Sequence, residues 1–380
     1  MGNSVSSKFI RMIALLTVKG SLMLAGNKNN QLSSSHRERE LMAITTGSVR
    51  IAAWTTALTV LTAISGLPGT ANAQTVELRY GHMNPPTSAA GLQAQMLADA
   101  IAKNTSGQVT VKVYPSSQLG KLQELAEAVS TGTIALSHNT AGGIGSLYEP
   151  FGALDTPYLY RDYDHLMKVM DVDSPVMKKL NEGLIKAAGV RVLYAYYFGT
   201  RQLTSNKAML QPSDLAGQKI RAIPFPIYMA AVQGLGAIPI PVDWSEVPTA
   251  LATGQVAGQE NPVNVVLSSK LYETQSHLML TSHIMNAQVI VINEKVWQKL
   301  TQTQRDALSA AAQDVRKRAS EMVKNQEAEE TEKLKGLKMN VIGPDNGLKL
   351  DVYKAAVNKV VQEKFGAKYG DLYKEIAEIK

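Results

Sequence analysis

Strand-type and helix-type apolar patterns alternate along the chain from residue 76 onward, and this alternation limits the possible fold more than any other feature of the sequence. Apolar runs of strand type lie at Val76–Tyr80, Val109–Tyr114, Ile134–Ser137, Val190–Phe198, Gln218–Ile223 and Val289–Asn293. Apolar residues at helical spacing predict helices near residues 88–101, 119–131, 163–187, 226–236 and 245–254. The alternation predicts an α/β protein, in which ligands bind at the carboxyl ends of strands or between domains.

The longest predicted helix begins at a capping box formed by Thr301 and Gln304 and runs to about residue 335. At 1.5 Å per residue it would be roughly 50 Å long, which is longer than a small domain is wide. A chain of 380 residues has the length of two domains of ordinary size. We therefore expect this helix to span both domains or to curve across them.

The first 73 residues have the features of a targeting segment. Residues 51–67 form an uncharged apolar run, and the small-residue site Ala71-Asn72-Ala73 follows it. This pattern is typical of a secretory signal peptide, here residues 42–73 with cleavage after Ala73, and it leaves residues 1–41 as an upstream extension. The alternative is an uncleaved membrane anchor, since the run is at the lower limit of length for crossing a bilayer.

Removal of this segment would also remove most of the net positive charge, which is +7 for the whole chain. Seven of the 39 basic residues and two of the 32 acidic residues lie in residues 1–73, so the remainder holds 32 basic and 30 acidic residues, a net charge of +2. This near-neutral balance removes the main argument for nucleic-acid binding. The absence of Cys excludes a disulfide framework, a thiolate zinc site and a cysteine nucleophile. We expect a soluble, exported protein.

The sequence contains few candidates for catalysis. None of the six His lies at metal-ligating spacing, and the nucleophile-elbow, phosphate-loop and dinucleotide-binding motifs are missing. His138 follows a short predicted strand and is interpreted as an ordinary polar loop residue, because a lone His carries no mechanism. These residues therefore predict no enzyme, metal site or cofactor.

Three polar residues of the second half, Arg201, Arg221 and Asn261, lie where a strand or a helix gives way to a loop. Such positions are where α/β proteins collect ligand-binding groups. An Arg side chain can hold a carboxylate through two parallel N–H bonds, and a buried carboxylate needs such a partner. The alternative from spacing alone is that both arginines form surface salt bridges, which is the commoner role of Arg.

Several strings of sequence carry a resemblance to a known family: VYPSSQLG, FGTRQLTSNK, DLAGQKIR, GAIPIPVDWSEVPTALATGQVAGQENP and SHIMNAQ. In order and spacing they resemble the extracytoplasmic solute receptors of tripartite ATP-independent periplasmic (TRAP) transporters, over residues 76–380. The resemblance implies a periplasmic-binding-protein-like architecture of two α/β domains with a ligand cleft between them and a long helix spanning both. It assigns residues 74–198 plus 287–326 to domain I, and residues 199–286 plus 327–380 to domain II.

The resemblance also implies a carboxylate-binding site. In this family the Arg of the K-I-R string pairs bidentately with the ligand carboxylate, and Arg221 holds that position here. The Arg of G-T-R-Q, here Arg201, is a second carboxylate partner, and the Asn of G-Q-E-N-P, here Asn261, hydrogen-bonds the same group. Trp244 corresponds to an aromatic residue that packs on the ligand, and Asn84 to a ligand contact from the first domain.

Some positions depart from the family pattern and bear on the ligand. Thr140 stands where sialic-acid-binding members carry a Glu that contacts the sugar, and Trp244 replaces their Phe. Ala257 and Pro248 replace a common Asp and a common Tyr. The uncharged Thr140 argues against sialic acid, so we expect a smaller or flatter organic acid, such as a C4-dicarboxylate, a 2-oxo acid or an aromatic carboxylate.

The resemblance implies a monomeric periplasmic receptor that captures an organic acid and delivers it to a large and a small membrane subunit driven by an ion gradient. It implies no nucleotide site, cofactor or nucleic-acid partner on this chain. Two other functions stay open. An exported ligand-sensing subunit of a signalling receptor would use the same binding chemistry, and an exported enzyme would need a nucleophile or an acid–base pair in the cleft.

Overall fold

The computed structural model describes residues 75–380, so the predicted upstream extension and signal peptide lie outside the described residues. The strands are β1 (Val76–Gly81), β2 (Val109–Tyr114), β3 (Leu136–Thr140), β4 (Val190–Ser205), β5 (Lys219–Ala222), β6 (Ile238–Pro241), β7 (Gly258–Pro262), β8 (His277–Asn293) and β9 (Asn340–Ile342). The helices are α1 (Ala89–Asn104), α2 (Leu122–Thr131), α3 (Ala141–Ile144), α4 (Tyr163–Val169), α5 (Pro175–Ala188), α6 (Pro226–Gly234), α7 (Val247–Ala252), α8 (Val263–Ser268), α9 (Glu294–Lys299), α10 (Gln302–Gly336) and α11 (Leu350–Glu378). The mixed α/β character confirms the predicted fold class.

The nine strands form one sheet, organised around the long pair β4 and β8. The strand order is β2-β1-β3-β8-β4-β7-β5-β6, with β9 beside β8. The first half of β4 pairs with the second half of β8, which pairs on its other edge with β3. The second half of β4 pairs with β7. The predicted domain boundaries, 198/199 and 286/287, fall inside these two strands, next to a register shift between Tyr197 and Gly199. The division into two domains at these residues stays a prediction.

Local chemistry explains where several elements begin and end. The Ser88 side chain accepts a hydrogen bond from the Gly91 amide at the start of α1, and Gly132 ends α2 in the left-handed conformation with φ +80°. The capping box of Thr301 and Gln304 opens α10, which runs for 35 residues, so this prediction is confirmed. No helix among residues 75–380 is long and apolar enough to cross a bilayer.

The long helix α10 connects separate parts of the core. Leu308 and Val315, in its first half, pack in a cluster formed largely by α1, β1 and the first half of β4. Leu334, near its end, packs in a different cluster together with Val247 and Val263. The helix therefore extends across the molecule, as its length predicted.

Some predicted elements differ from the structure. The single helix over residues 163–187 is wrong, because Ser174 caps a new helix whose first residue is Pro175. The apolar spacing of the first helix predicts Leu92 on the same face as Leu97 and Ile101, which are buried, but Leu92 is 43% exposed. The sequence predicts Ser245 as the cap of the helix near residues 245–254, and this is wrong, because a 3-10 turn occupies Trp244–Glu246 and α7 starts at Val247.

Candidate ligand-binding site

One cavity collects all six residues predicted for the site. It lies where β1 and β3 end, beside the middle of β4 and β8, and against β5 and β7. The predicted residues on its wall are Asn84, Thr140, Arg201, Arg221, Trp244 and Asn261. Its free space is about 30 Å³, which is enough for a water molecule and too little for an organic acid of several carbons.

Two arginines line this cavity, and Arg221 is the one without an acidic partner among residues 75–380. It lies in β5, is 2% exposed, and donates from Nε to the Val242 carbonyl oxygen at 2.8 Å. Its Nη1 has no hydrogen-bond partner, and no carboxylate among residues 75–380 lies within 4 Å of the guanidinium. Burial lowers the pKa of Arg221 to about 10, so the side chain still carries its charge at neutral pH. The arrangement is a buried positive charge with unused donors.

Arg201 is equally buried, but its charge is already paired. Its Nε and Nη2 donate to the two carboxylate oxygens of Glu260, at 2.5 and 2.8 Å, and Nη1 donates to Asn286 Oδ1 at 3.3 Å. Burial opposes the charge on both partners, and their attraction outweighs it, so the pKa of Glu260 falls to about 2 and the pKa of Arg201 rises. Arg201 also lies inside β4, not just after a strand as the sequence predicted.

A hydrogen-bond network holds this ion pair in place. His283 Nε2 lies 3.1 Å from Glu260 Oε2, and Asn286 Nδ2 donates to Asp155 Oδ1 at 3.1 Å. Tyr228 donates from its hydroxyl to Asp155 Oδ2 at 2.7 Å, and its ring centroid lies 5.2 Å from the Arg201 guanidinium. Since all these groups are buried, Arg201 has a fixed position at the cavity.

Asn261 and Trp244 contribute from the same side of the cavity as Arg221. Asn261 lies within β7, where its Nδ2 donates to Gln259 Oε1 at 2.5 Å. Trp244 is half-buried, and its ring centroid lies 5.9 Å from the Arg221 guanidinium. A flat apolar surface therefore adjoins the unpaired charge.

Asn84 and Thr140 lie on the opposite side, at the ends of β1 and β3. Asn84 is 4% exposed, and its carbonyl oxygen accepts a hydrogen bond from the Ser116 amide. The Thr140 hydroxyl accepts from the Gly143 amide at 2.9 Å and caps α3, which leaves its hydrogen free to donate. Neither residue brings a charge to the cavity.

Sequence reasoning missed other parts of the site. Gln288, on β8, lines the cavity, is 3% exposed, and has no hydrogen-bond partner at Oε1. It ends the SHIMNAQ string, so the string pointed to it without giving it a role. Glu260 adjoins Asn261 in sequence, but its role as the partner of Arg201 depends on the pairing of β4 with β7, which the sequence did not predict. Phe198 and Ile223 add apolar wall.

His138 differs most from its sequence interpretation. It is fully buried in β3 rather than a loop residue, and its ring lies 5.5 Å from that of His82. Burial lowers the pKa of His82 to about 4 and the pKa of His138 well below its ordinary value. Both rings are therefore neutral at neutral pH.

Comparisons with known proteins show which family the sequence and the fold resemble. The sequence profile of the family described as "Bacterial extracellular solute-binding protein, family 7" matches residues 80–368. A sialic acid-binding periplasmic protein of Vibrio cholerae is 32% identical over 71% of this chain and 82% of its own. A C4-dicarboxylate-binding periplasmic protein of Rhodobacter capsulatus is 30% identical over 67% of this chain and 76% of its own. The crystal structure of a TRAP periplasmic solute-binding protein from Polaromonas, bound to D-erythronate, matches with a TM-score of 0.74 and 32% identity, over 80% of this chain and 98% of that one.

Proposed function

The chain belongs to family 7 of the bacterial extracellular solute-binding proteins, the TRAP extracytoplasmic solute receptors, and from this we propose that it binds an organic acid by clamping the carboxylate at Arg221. The ligands named for the three relatives are sialic acid, C4-dicarboxylates and D-erythronate, which all carry a carboxylate. The bound acid would be delivered to the membrane subunits of a TRAP transporter.

The observation that carries this proposal is the buried guanidinium of Arg221 without a carboxylate partner. An unpaired buried charge costs several kcal/mol, and the folded protein holds this one beside a cavity. A ligand carboxylate would supply the missing counter-charge, and each charge-assisted hydrogen bond contributes about 1.5–3 kcal/mol. Anion binding would thus offset a cost that the empty protein already carries.

Arg201 and Asn261 support the clamp in different ways. Because Nε and Nη2 of Arg201 are occupied by Glu260 and one N–H of Nη1 by Asn286, this residue offers its remaining Nη1 donor at a fixed position rather than a second free charge. Asn261 offers its side-chain amide, and Trp244 offers a flat face for the carbon skeleton. Fixed groups of this kind lower the entropy that ligand binding must overcome.

The small free space supports a cleft that opens to admit the ligand and then closes. We propose that domain I (residues 74–198 plus 287–326) and domain II (residues 199–286 plus 327–380) separate and close around it, with bending in β4 and β8. A ligand that prefers the closed form shifts the population toward it, and the membrane subunits would recognise that form. Export by the signal peptide 42–73 and action as a monomer in the periplasm belong to the same proposal.

The test is the thermal stability of the purified protein with and without organic acids. A ligand at 100 times its Kd should add about 2.7 kcal/mol to the free energy of unfolding and raise the melting temperature by a few degrees. In Arg221→Met this increase should vanish, because the variant lacks the charge that binds the carboxylate. The empty variant should be at least as stable as the original protein, because it no longer buries an unpaired charge.

The matched control is Arg191→Met. Arg191 is paired with Glu294 at 2.7 Å and lies away from the cavity. This variant should lose a little stability and keep the full ligand-induced increase. Normal stabilisation of Arg221→Met by organic acids would show that the clamp is assigned to the wrong residue.

A further inference from the structure

We infer that the cavity selects a hydroxylated monocarboxylate over a dicarboxylate, and that Gln288 is the residue that reads a ligand hydroxyl. The inference rests on the proposed function, since it assumes that one carboxylate binds at Arg221. It narrows the substrate class and excludes the C4-dicarboxylates that the sequence left open.

The first step is the balance of charge at the cavity. Two cations line it, and the charge of Arg201 is cancelled by Glu260, with both side chains almost fully buried. Arg221 is thus the one cation on the wall without an acidic partner among the described residues. The cavity can neutralise one carboxylate.

The second step concerns the wall of the cavity other than the two arginines. Its polar residues Asn84, Thr140, Asn261 and Gln288 are uncharged, and its other residues are apolar or aromatic. The nearby His82 and His138 are neutral, because burial lowers the pKa of both. A second carboxylate would be buried without a counter-charge, which should weaken binding by about a hundredfold or more.

The third step is the unused hydrogen-bonding capacity of Gln288. Its Oε1 is buried without a donor, and in the sheet register it lies between Thr140 on β3 and Tyr196 on β4. The hydroxyl of Tyr196 is also buried without a partner. An amide both donates and accepts, as a hydroxyl does, whereas a carboxylate only accepts and would leave the amide oxygen unpaired. A ligand hydroxyl is therefore the group that fits.

The experiment measures Kd by calorimetry on the purified protein with matched compounds of two lengths. The four-carbon set is erythronate, meso-tartrate, butyrate and erythritol, and the six-carbon set is galactonate, galactarate, hexanoate and galactitol. Within a set, the diacid differs from the hydroxy acid by one oxidised end, and the simple acid lacks the hydroxyls. In at least one set we expect the hydroxy monoacid to bind about a hundredfold more tightly than the diacid and about tenfold more tightly than the simple acid.

The outcomes separate this inference from the proposed function. Binding of a diacid as tightly as its hydroxy monoacid overturns the inference and leaves the carboxylate clamp intact. Equal binding of the simple and the hydroxylated monoacid overturns the hydroxyl preference alone. Binding of a polyol but of no acid, or of no compound in either set, overturns the proposed function together with the inference.

Gln288→Met tests the named residue, because it keeps the length of the side chain and removes the amide. The preference for the hydroxy acid over the simple acid should fall about tenfold, while binding of the simple acid is retained. Gln298→Met, the same change at an exposed position of α9, should keep the preference. An unchanged preference in Gln288→Met overturns the role of Gln288, and retained binding of the simple acid shows that the variant is folded.

Discussion

His82 and His138 are buried side by side. Both ring nitrogens of His82 and the Nδ1 of His138 have no hydrogen-bond partner. Burial lowers the pKa of His82 from 6.5 to about 4, so the folded state holds the ring neutral while the unfolded chain takes up a proton below pH 6.5. Because the unfolded state then binds more protons, stability must fall as the pH falls from 6.5 toward 4. The expected loss is about 1.4 kcal/mol per pH unit for each such histidine.

The measurement is the melting temperature of the protein, and of the variants His82→Gln and His138→Gln, across this pH range. Each variant should flatten the decline, because the glutamine does not titrate. His277→Gln, at a half-buried site, is the matched control and should keep the slope of the original protein. A slope that survives both core substitutions would mean that other groups cause the acid sensitivity.

At the scale of single residues, the sequence predicted which side chains meet but not their state of charge. Asn84, Thr140 and Asn261, which the resemblance singled out, line one cavity with the two arginines. The neutralisation of Arg201 depends on Glu260, 59 residues further along the chain. No local pattern carries such a pairing, because it exists only once β4 lies beside β7.

Among the elements, β4 depends on a glycine at its centre. Gly199 has φ +112°, and a Cβ there would come within 2.8 Å of Pro262 Cβ and 3.1 Å of Asn264 Nδ2. Gly199→Ala should therefore reduce the free energy of unfolding by about 1–3 kcal/mol, from backbone strain together with steric overlap. Because Phe198 and Arg201 flank this position and line the cavity, ligand affinity should fall as well.

Denaturant unfolding of Gly199→Ala is compared with that of Gly189→Ala. Gly189 also has a positive φ, +63°, but nothing lies within 4 Å of its added Cβ. The control should show the smaller loss of stability and normal ligand affinity. Equal losses of stability in the two variants would show that the chain relieves the close contact with Pro262 without a further loss of stability.

Element boundaries were predictable where side chains near in sequence set them, as at the capping box of α10. The extent of β4 was not, because Arg201, Gln202 and Thr204 break the apolar pattern although all three are buried. Partners on neighbouring strands satisfy these polar groups, which only the assembled sheet provides. The helix α11 was missed although its buried residues recur every three or four positions: Tyr353, Val357, Val361, Phe365, Tyr369, Leu372 and Ile376.

For the whole molecule, Lys121 links the two sides of the cavity. Its Nζ lies 2.7 Å from Asp243 and 2.9 Å from Glu246, which flank Trp244, and Lys121 itself precedes α2. In the proposed domain division this contact would cross the cleft and favour its closure. Lys121→Met should raise the ligand dissociation rate a few-fold at low salt, and the difference should shrink at high salt, because exposed ion pairs are weak and screened.

Stopped-flow dissociation measures this effect. Lys333→Met removes another exposed lysine whose partner, Glu329, lies on the same helix, and it should leave the rate unchanged. A dissociation rate that does not respond to Lys121→Met at any salt concentration would mean that this contact has no part in holding the ligand.

The position of Trp244 beside Arg221 also has an optical consequence. The chain has three Trp. Trp54 falls in the predicted signal peptide, and the Trp297 ring lies 5.4 Å from the Arg191 guanidinium. In the proposed site, a carboxylate bound at Arg221 would change the electric field across the Trp244 indole, 5.9 Å away, and with it the wavelength of the emitted light. The intrinsic fluorescence of the protein would then report occupancy of the cavity, and ligands could be titrated without a dye or a label.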